Sequence, residues 1–330
     1  MKINGTGFNR REWIAGVGVA SLLSLTALEA SAQQHTWIAG TATPPNDPIA
    51  LSTDYFAERV EALTDGAIVM EVHHGAALGG DRDLVETILQ QGIQVATPGQ
   101  ALLSGWYKPA EIWIFPYLFN DVDHKDRVWD TVKAEYADTV GREAGLRPLV
   151  AVPRGPRMLS ANKVVKTPAD MEGMKVRVPE TQLWLKTFER FGASPTPLPF
   201  PEVYQALRAG VIDGQDNPVS LTFNSGFFEV NTHLNLTEHM MQDNVIVVGE
   251  AAWQALTPEL QAAVTQAATE TELEFRKRLK ADSEALLQKV KDAGVVVTEV
   301  DKAAFRKSVE GLEADFPHIQ EWLEKIRAID

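Results

Sequence analysis

The chain has 330 residues, carries a formal net charge of −14 at pH 7 and contains no cysteine. That length is enough for one large domain or two medium domains with proper hydrophobic cores. The negative charge argues against a nucleic-acid partner, and the missing thiols exclude disulfides, thiolate metal sites and cysteine nucleophiles.

The first 32 residues predict an export signal. A positively charged start precedes an almost wholly apolar or small run over residues 14–28 and a small-x-small cleavage site that ends at Ala32. The run is shorter than the roughly 20 residues that a membrane-spanning helix needs. The adjacent Arg10 and Arg11 favour the twin-arginine route, with Sec export as the alternative. We therefore expect residues 1–32 to be a cleaved signal peptide and the remaining chain to be periplasmic.

Strands and helices alternate along the chain after this segment. Hydrophobic periodicity and turn residues predict strands at 35–41, 67–73, 93–97, 148–153 and 175–178, and helices at 50–63, 81–91, 182–191 and 202–209. Strands that alternate with helices in this way are typical of parallel α/β sheets. The two stretches of alternation, before residue 98 and after residue 144, predict two lobes with separate sheets.

A long helical pattern runs from Pro258 to Ala293 and is closed by Gly294. Apart from its first residue, it contains neither proline nor glycine. A helix of that length spans about 50 Å at 1.5 Å per residue. This exceeds the width of one lobe, so we expect the helix, or a broken pair of helices, to cross between the lobes.

Motifs for metals, phosphates and catalytic nucleophiles are weak or missing. His73 and His74 are adjacent at the end of a strand and therefore point to opposite faces. The three glycines of residues 75–80 match neither the Gly-Lys-Ser/Thr ending of a P-loop nor the Gly-x-Gly-x-x-Gly spacing of dinucleotide-binding loops. No nucleophile elbow occurs in the sequence. We predict no metal, no cofactor and no catalysis.

Three arginines give the strongest chemical signal. Arg154 and Arg157 follow a predicted strand, and Arg177 lies within or at the end of another. A guanidinium in an apolar strand must be paired, and its planar donor fork fits a carboxylate. The residues alone leave two interpretations open, namely a ligand carboxylate or a structural salt bridge to a nearby acid.

Several segments, in order, resemble the substrate-binding subunits of tripartite ATP-independent periplasmic (TRAP) transporters, the DctP-like family. These segments are 77–82, 115–119, 173–179, 191–197 and 202–218. The resemblance covers nearly the whole chain after the signal, and it implies the α/β two-lobe fold of periplasmic binding proteins, with hinge strands and a long lobe-crossing helix. We assign residues 33–154 plus about 243–282 to lobe I, and residues 155–242 plus about 283–330 to lobe II.

The resemblance also implies roles for individual side chains. The arginine of Lys-Val-Arg-Val-Pro, Arg177, matches the one that grips the ligand carboxylate, and Arg157 matches the upstream arginine, whereas Arg154 does not align. Asn217 matches a polar ligand partner, Phe200 an aromatic side chain that packs on the ligand body, and Glu180 a polar contact after the clamp.

Two differences between this chain and the sialic-acid-binding members of the family bear on the identity of the ligand. Where sialic-acid-binding members have an acid, this chain has Gly99 and Gln100, and Glu180 replaces an asparagine. Both differences argue against sialic acid. We expect Gln100 and Asp81 to contact hydroxyl groups, which suits a sugar acid.

These observations predict the solute receptor of a TRAP transporter for a small organic acid. A sugar acid such as a uronate or aldonate, a C4-dicarboxylate and a keto acid all stay open. The predicted partners are that acid and the small and large membrane subunits, and we expect a monomer. The alternatives are a secreted lyase or hydrolase acting on acidic sugars, a receptor for an ATP-driven importer, and a sensory receptor with the same fold.

Overall fold

The structure of the protein, a computed structural model, describes residues 34–329, apart from the side chains of residues 282–284. The expected signal peptide, residues 1–32, lies outside the described residues. The strands are β1 (His35–Gly40), β2 (Ile68–His73), β3 (Val95–Ala96), β4 (Leu146–Val152), β5 (Arg157–Ala161), β6 (Lys175–Val178), β7 (Ser194–Pro197), β8 (Gly214–Pro218), β9 (His233–Asn235), β10 (Asn244–Gly249) and β11 (Val296–Thr298). The α-helices are α1 (Pro48–Leu63), α2 (Asp81–Leu89), α3 (Val122–Ala144), α4 (Gln182–Arg190), α5 (Val203–Arg208), α6 (Val219–Asn224), α7 (Glu250–Gln254), α8 (Pro258–Asp292), α9 (Lys302–Ser308) and α10 (Gln320–Arg327).

The strands form two sheets. The first has the order β2-β1-β3-β10-β4, with β1 parallel to β2 and β3 and with β10 antiparallel to β3 and β4. The second has the order β11-β9-β5-β8-β6-β7, in which β6 is parallel to both β7 and β8. Strand β10 is buried along its whole length, which explains its unbroken apolar run, because a strand covered on both faces needs no polar alternation.

The structure confirms each predicted strand and helix to within a few residues. Within residues 34–329 it adds six strands and five α-helices that were not predicted, of which α3 is the longest. Asp121 caps the N-terminus of this helix by accepting from the His124 N–H, and Gly145 ends it in the left-handed conformation, with φ of 71°. Buried residues recur along α3 at the spacing of one helix face, at Val128, Val132, Tyr136 and Val140. That pattern was a readable helix signal.

Three connections join the sheets. The chain passes from β4 to β5 through residues 153–156 and returns from β9 to β10 through residues 236–243. These two segments lie side by side, since the Arg157 N–H donates to the Met240 carbonyl at 2.9 Å and Pro156 bridges Met241. Helix α8 is the third connection and confirms the predicted crossing helix. Its first half packs in one core with β1 and β4, and its last turns pack in another core with β9.

The strands of the first sheet lie in residues 35–152 and 244–249, and those of the second sheet lie in residues 157–235 and 296–298. The end of the chain returns to the first of these sheets. Helix α10, assigned to lobe II, packs on elements that precede β4, where Trp322 Nε1 donates to the Tyr107 hydroxyl at 2.8 Å and Lys325 pairs with Glu135 at 2.5 Å. The apolar face of this short helix decides its position, because Trp322, Leu323 and Ile326 are all buried.

Within the described part of the chain, no helix combines the length and the apolar character that crossing a bilayer requires. Residues 34–329 also contain no group of three or more histidine or acidic side chains arranged to hold a metal ion. His73 and His74 instead contact Glu71 at 3.1 Å and Asp54 at 2.9 Å.

Candidate functional site

A cavity of about 160 Å³ lies where the strand ends of the two sheets meet. In the second sheet, the parallel strands β6, β7 and β8 run the same way, so the residues that follow them gather at one edge. The antiparallel strand β5 begins at that edge, with Arg157 opposite Pro218. Loops that follow strands of the first sheet form the facing wall. Ligands of open α/β sheets bind at such carboxyl ends.

Arg177 is a buried cation at the cavity. It lies on β6, is 4% exposed and borders the cavity. Its Nε and Nη2 donate to the Leu198 carbonyl at 2.9 and 2.6 Å, and no carboxylate among residues 34–329 forms an ion pair with it. Burial lowers the pKa of Arg177 to about 10, which still leaves the side chain charged at neutral pH. The Nη1 donors are therefore available to an anion in the cavity.

Arg157 also borders the cavity, but it is already paired. Its Nε donates to Asp216 Oδ2 at 2.6 Å, and its Nη2 donates to the Asp216 carbonyl and to Asn217 Oδ1. Its Nη1 donates to Gln242 Oε1 at 2.9 Å, and the guanidinium lies over the Trp184 ring, 4.8 Å from its centre. Four of the five N–H groups are thus engaged, which fixes this side chain and leaves one Nη1 proton for a ligand.

Arg154 makes the structural salt bridge that the sequence left open. Its Nη2 donates to both oxygens of Asp47, at 3.1 and 3.2 Å, and its Nη1 donates to Asn244 Oδ1. Asp47 also caps α1 through the Ile49 N–H. Arg154 borders the cavity, yet its charge is neutralised by a fully buried acid.

Asp81 faces the arginines from the first lobe. It is the first residue of α2, and its Oδ2 accepts from the Gly99 N–H at 3.3 Å. Burial raises the pKa of Asp81 to about 6, although Arg154 and Arg177 counteract the effect. No cation in the described residues forms an ion pair with this carboxylate.

The structure places three more expected site residues at the cavity. Asn217 borders it but gives its oxygen to Arg157 and its amide N–H to Gln215. Phe200 borders it with its ring packed against Phe227, 5.8 Å between centres. Glu180 lies 3.9 Å from Arg82, which belongs to the facing lobe, so this pair spans the cavity.

Gln100 does not border the cavity, contrary to expectation. It starts the short 3₁₀ helix Gln100–Gly105, its side chain is fully buried, and its backbone N–H donates to the Asp243 carbonyl. The preceding Gly99 lines the cavity in its place. The sequence analysis did not single out Gln242 and Asn244, which line the wall just before β10 and at its first residue. Their signal was the polar run Gln-Asp-Asn that precedes the apolar residues of this strand.

Comparisons with known proteins agree with this architecture. The sequence model of the family described as bacterial extracellular solute-binding protein, family 7 (DctP), matches residues 39–317. A solute-binding protein of Roseobacter denitrificans is 33% identical over 294 residues, which cover 88% of this chain and 90% of that protein.

Two solved structures of TRAP periplasmic solute-binding proteins from Roseobacter denitrificans share the fold. One, with bound L-galactonate, is 30% identical at a TM-score of 0.84 and covers 89% of this chain and 99% of that chain. The other, with bound β-D-glucuronate, is also 30% identical, at a TM-score of 0.85, and covers 89% of this chain and 100% of that chain.

Proposed function

The chain belongs to the bacterial extracellular solute-binding proteins of family 7, and we propose that it is a TRAP receptor whose ligand is a sugar acid held by Arg177. This membership favours the TRAP receptor over the secreted enzyme and over the receptor of an ATP-driven importer.

The single observation that carries the proposal is the guanidinium of Arg177, which forms no ion pair within residues 34–329. A buried charge without a partner is costly, and the cost is recovered when a ligand carboxylate fills the cavity. The Leu198 carbonyl accepts from Nε and Nη2, which fixes one edge of the guanidinium on a side chain that lines the cavity. A pre-oriented fork of this kind binds a carboxylate with little loss of side-chain entropy.

The rest of the wall suits a hydroxylated ligand. Oxygen acceptors on Asp81 and Glu180 and the amide of Gln242 offer partners for hydroxyl groups. The rings of Phe200 and Trp184 supply apolar surface for the C–H face of a sugar. The related structures with bound L-galactonate and β-D-glucuronate support this choice of ligand class.

A substitution at Arg177 tests the proposal after a thermal-shift screen over aldonates, uronates, C4-dicarboxylates and keto acids has found the tightest ligand. Losing one partner of a buried charged pair costs roughly 2–5 kcal/mol, and each 1.4 kcal/mol is tenfold in affinity. We expect Arg177→Lys, which keeps the charge but loses the fork, to weaken calorimetric binding by about 30-fold or more.

The matched control is Arg190→Lys, because Arg190 is half-exposed and pairs with Asp315 at the surface. It should bind like the wild type, and circular dichroism should show all three proteins folded. Wild-type affinity in Arg177→Lys, or a screen in which no sugar acid binds, would refute the proposal.

We further propose that the receptor is exported, acts as a periplasmic monomer, delivers its ligand to the small and large membrane subunits and does not convert it. N-terminal sequencing of exported protein should give Gln33 or a close neighbour, not Met1. Mass spectrometry of the ligand after long incubation should recover it unchanged, and a product would instead indicate an enzyme. Light scattering reports the oligomeric state, and co-purification with the membrane subunits tests the partnership.

A further inference from the structure

We infer that Asp81 restricts the site to acids with a single carboxylate, so that a diacid of the same carbon skeleton is rejected. This inference rests on the proposed function and goes beyond it, because it assigns a selectivity rule to one residue of the lobe that faces Arg177.

The rule follows from how the charges of the cavity wall are paired. Four arginines border the cavity, and three of them already have an acidic partner. The three pairs are Arg154 with Asp47 at 3.1 Å, Arg157 with Asp216 at 2.6 Å and Arg82 with Glu180 at 3.9 Å. Within the described residues, Arg177 is the one lining arginine without an acidic partner. The wall therefore offers a ligand carboxylate one arginine that forms no ion pair within residues 34–329.

Asp81 is the complementary unpaired group. Its Oδ2 accepts from the Gly99 N–H, and no other hydrogen bond to its carboxylate is found among residues 34–329. The neighbouring acid that also borders the cavity, Asp83, is exposed at the rim and accepts from the Gly80 N–H. A free carboxylate in a confined wall needs a donor, which a ligand hydroxyl supplies.

A second carboxylate on the ligand would be disfavoured. It would find no unpaired cation, since Arg177 is occupied by the first, and it would be confined with the like charge of Asp81. Like-charge contacts at an interface cost several kcal/mol. With a pKa of about 6, Asp81 is mostly ionised at pH 7.5, so this repulsion acts under ordinary conditions.

The test compares a monoacid with the diacid of the same carbon skeleton. Gluconate and galactonate differ from their diacids in one terminal group, whereas the uronates also differ in ring closure, and the comparison of Asp81→Asn with the wild type cancels that difference. The tightest monoacid among gluconate, galactonate, glucuronate and galacturonate is titrated against its own diacid, glucarate or galactarate, by calorimetry at pH 7.5. We expect the wild type to prefer the monoacid by about tenfold or more. In Asp81→Asn, whose amide oxygen can still accept from Gly99, this preference should shrink by about tenfold.

The matched control is Glu86→Gln, which removes one charge from an exposed position of the same helix and should keep the wild-type preference. Equal affinity of the wild type for monoacid and diacid overturns the inference whatever the variants do. An unchanged preference in a folded Asp81→Asn overturns it as well. In both cases the proposed function stands, because the monoacid still binds. If none of these acids binds the wild type, the proposed function and this inference both fall.

Discussion

At the scale of single residues, the fully buried carboxylate of Asp216 contacts three side chains of the site and its surroundings. Its Oδ2 accepts from Arg157 Nε at 2.6 Å and from Trp184 Nε1 at 3.2 Å, and it lies 3.2 Å from His239 Nε2. These contacts fix Arg157 before any ligand arrives. Burial alone would raise the pKa of Asp216, but the charge of Arg157 and the hydrogen bond with His239 hold it well below its usual range.

This depressed pKa predicts the pH dependence of Asp216→Asn. A carboxyl group with a lowered folded pKa stabilises the protein above its unfolded pKa of about 4, and that contribution is lost as the pH falls. At pH 7 we expect the variant to lose about 3–5 kcal/mol of unfolding free energy, because it leaves the Arg157 cation buried without an acidic partner. The difference from wild type should narrow by roughly 1 kcal/mol for each pH unit below about 4.

Urea unfolding at pH 7, 4 and 3 measures this dependence. Asp138→Asn is the control, because Asp138 is exposed and pairs with Arg147 at the surface. Its unfolding free energy should stay close to that of wild type throughout. A difference between Asp216→Asn and wild type that is the same at pH 7 and pH 3 contradicts the assignment of the lowered pKa.

At the scale of elements, α8 is anchored to the first lobe by one buried acid. Glu272 is 2% exposed. It accepts from Trp129 Nε1 at 2.5 Å and Lys133 Nζ at 2.7 Å, both on α3, and from the Ala151 N–H of β4 at 3.0 Å. A single side chain thus ties the crossing helix to a second helix and to the sheet.

Removing that acid should destabilise the fold. Glu272→Ala leaves the buried N–H groups of Trp129 and Ala151 without an acceptor, and each such group costs about 1–3 kcal/mol. We expect the unfolding free energy to fall by roughly 2–5 kcal/mol. The control is Glu274→Ala on the same helix, where the acid pairs with Arg278 at the surface, and it should cost no more than about 0.5 kcal/mol. Equal losses in denaturant unfolding would contradict the anchoring role.

At the scale of the whole molecule, the lobes meet across the cavity. Arg82 from one wall approaches Glu180 from the other to 3.9 Å, and Asp81 and Arg177 border the same cavity from opposite lobes. We expect the backbone to bend in the two connecting segments, 153–156 and 236–243, as the lobes part. A ligand favours the closed form through contacts that the open form lacks.

Small-angle scattering should therefore show a smaller radius of gyration when the ligand is bound. The ligand-bound curve should match the structure described above, and the ligand-free curve should indicate a more open molecule. Arg177→Lys at a ligand concentration that saturates only the wild type should keep the ligand-free curve. No change in the wild type at saturation would indicate a rigid cavity instead of a hinge.

The sequence by itself determined the α/β class, the two stretches of alternation and the crossing helix. These follow from local patterns, since the period of apolar residues and the positions of proline and glycine are set within each segment. The resemblance to the DctP-like family singled out Arg177, and the strand around it is already visible in the residues. The N-terminal end of α4 shows where local patterns stop being sufficient. The N–H groups of Gln182 and Leu183 donate to Glu111, which lies 71 residues before Gln182 in the chain, and not to a neighbouring cap residue.

Only the tertiary structure decided which arginine is free. The resemblance distinguished Arg157 from Arg154, but it did not show that each of them meets a buried acid far away along the chain, Asp47 at 107 residues and Asp216 at 59. Arg177 meets a carbonyl and no acid among the described residues. Pairing of this kind depends on how loops from both sheets meet, and no period or local motif encodes it. Gln100 was expected at the cavity, but its neighbour Gly99 lines it. The direction of a side chain after a strand is set by the contacts of the folded loop, and these contacts cannot be read from the local sequence.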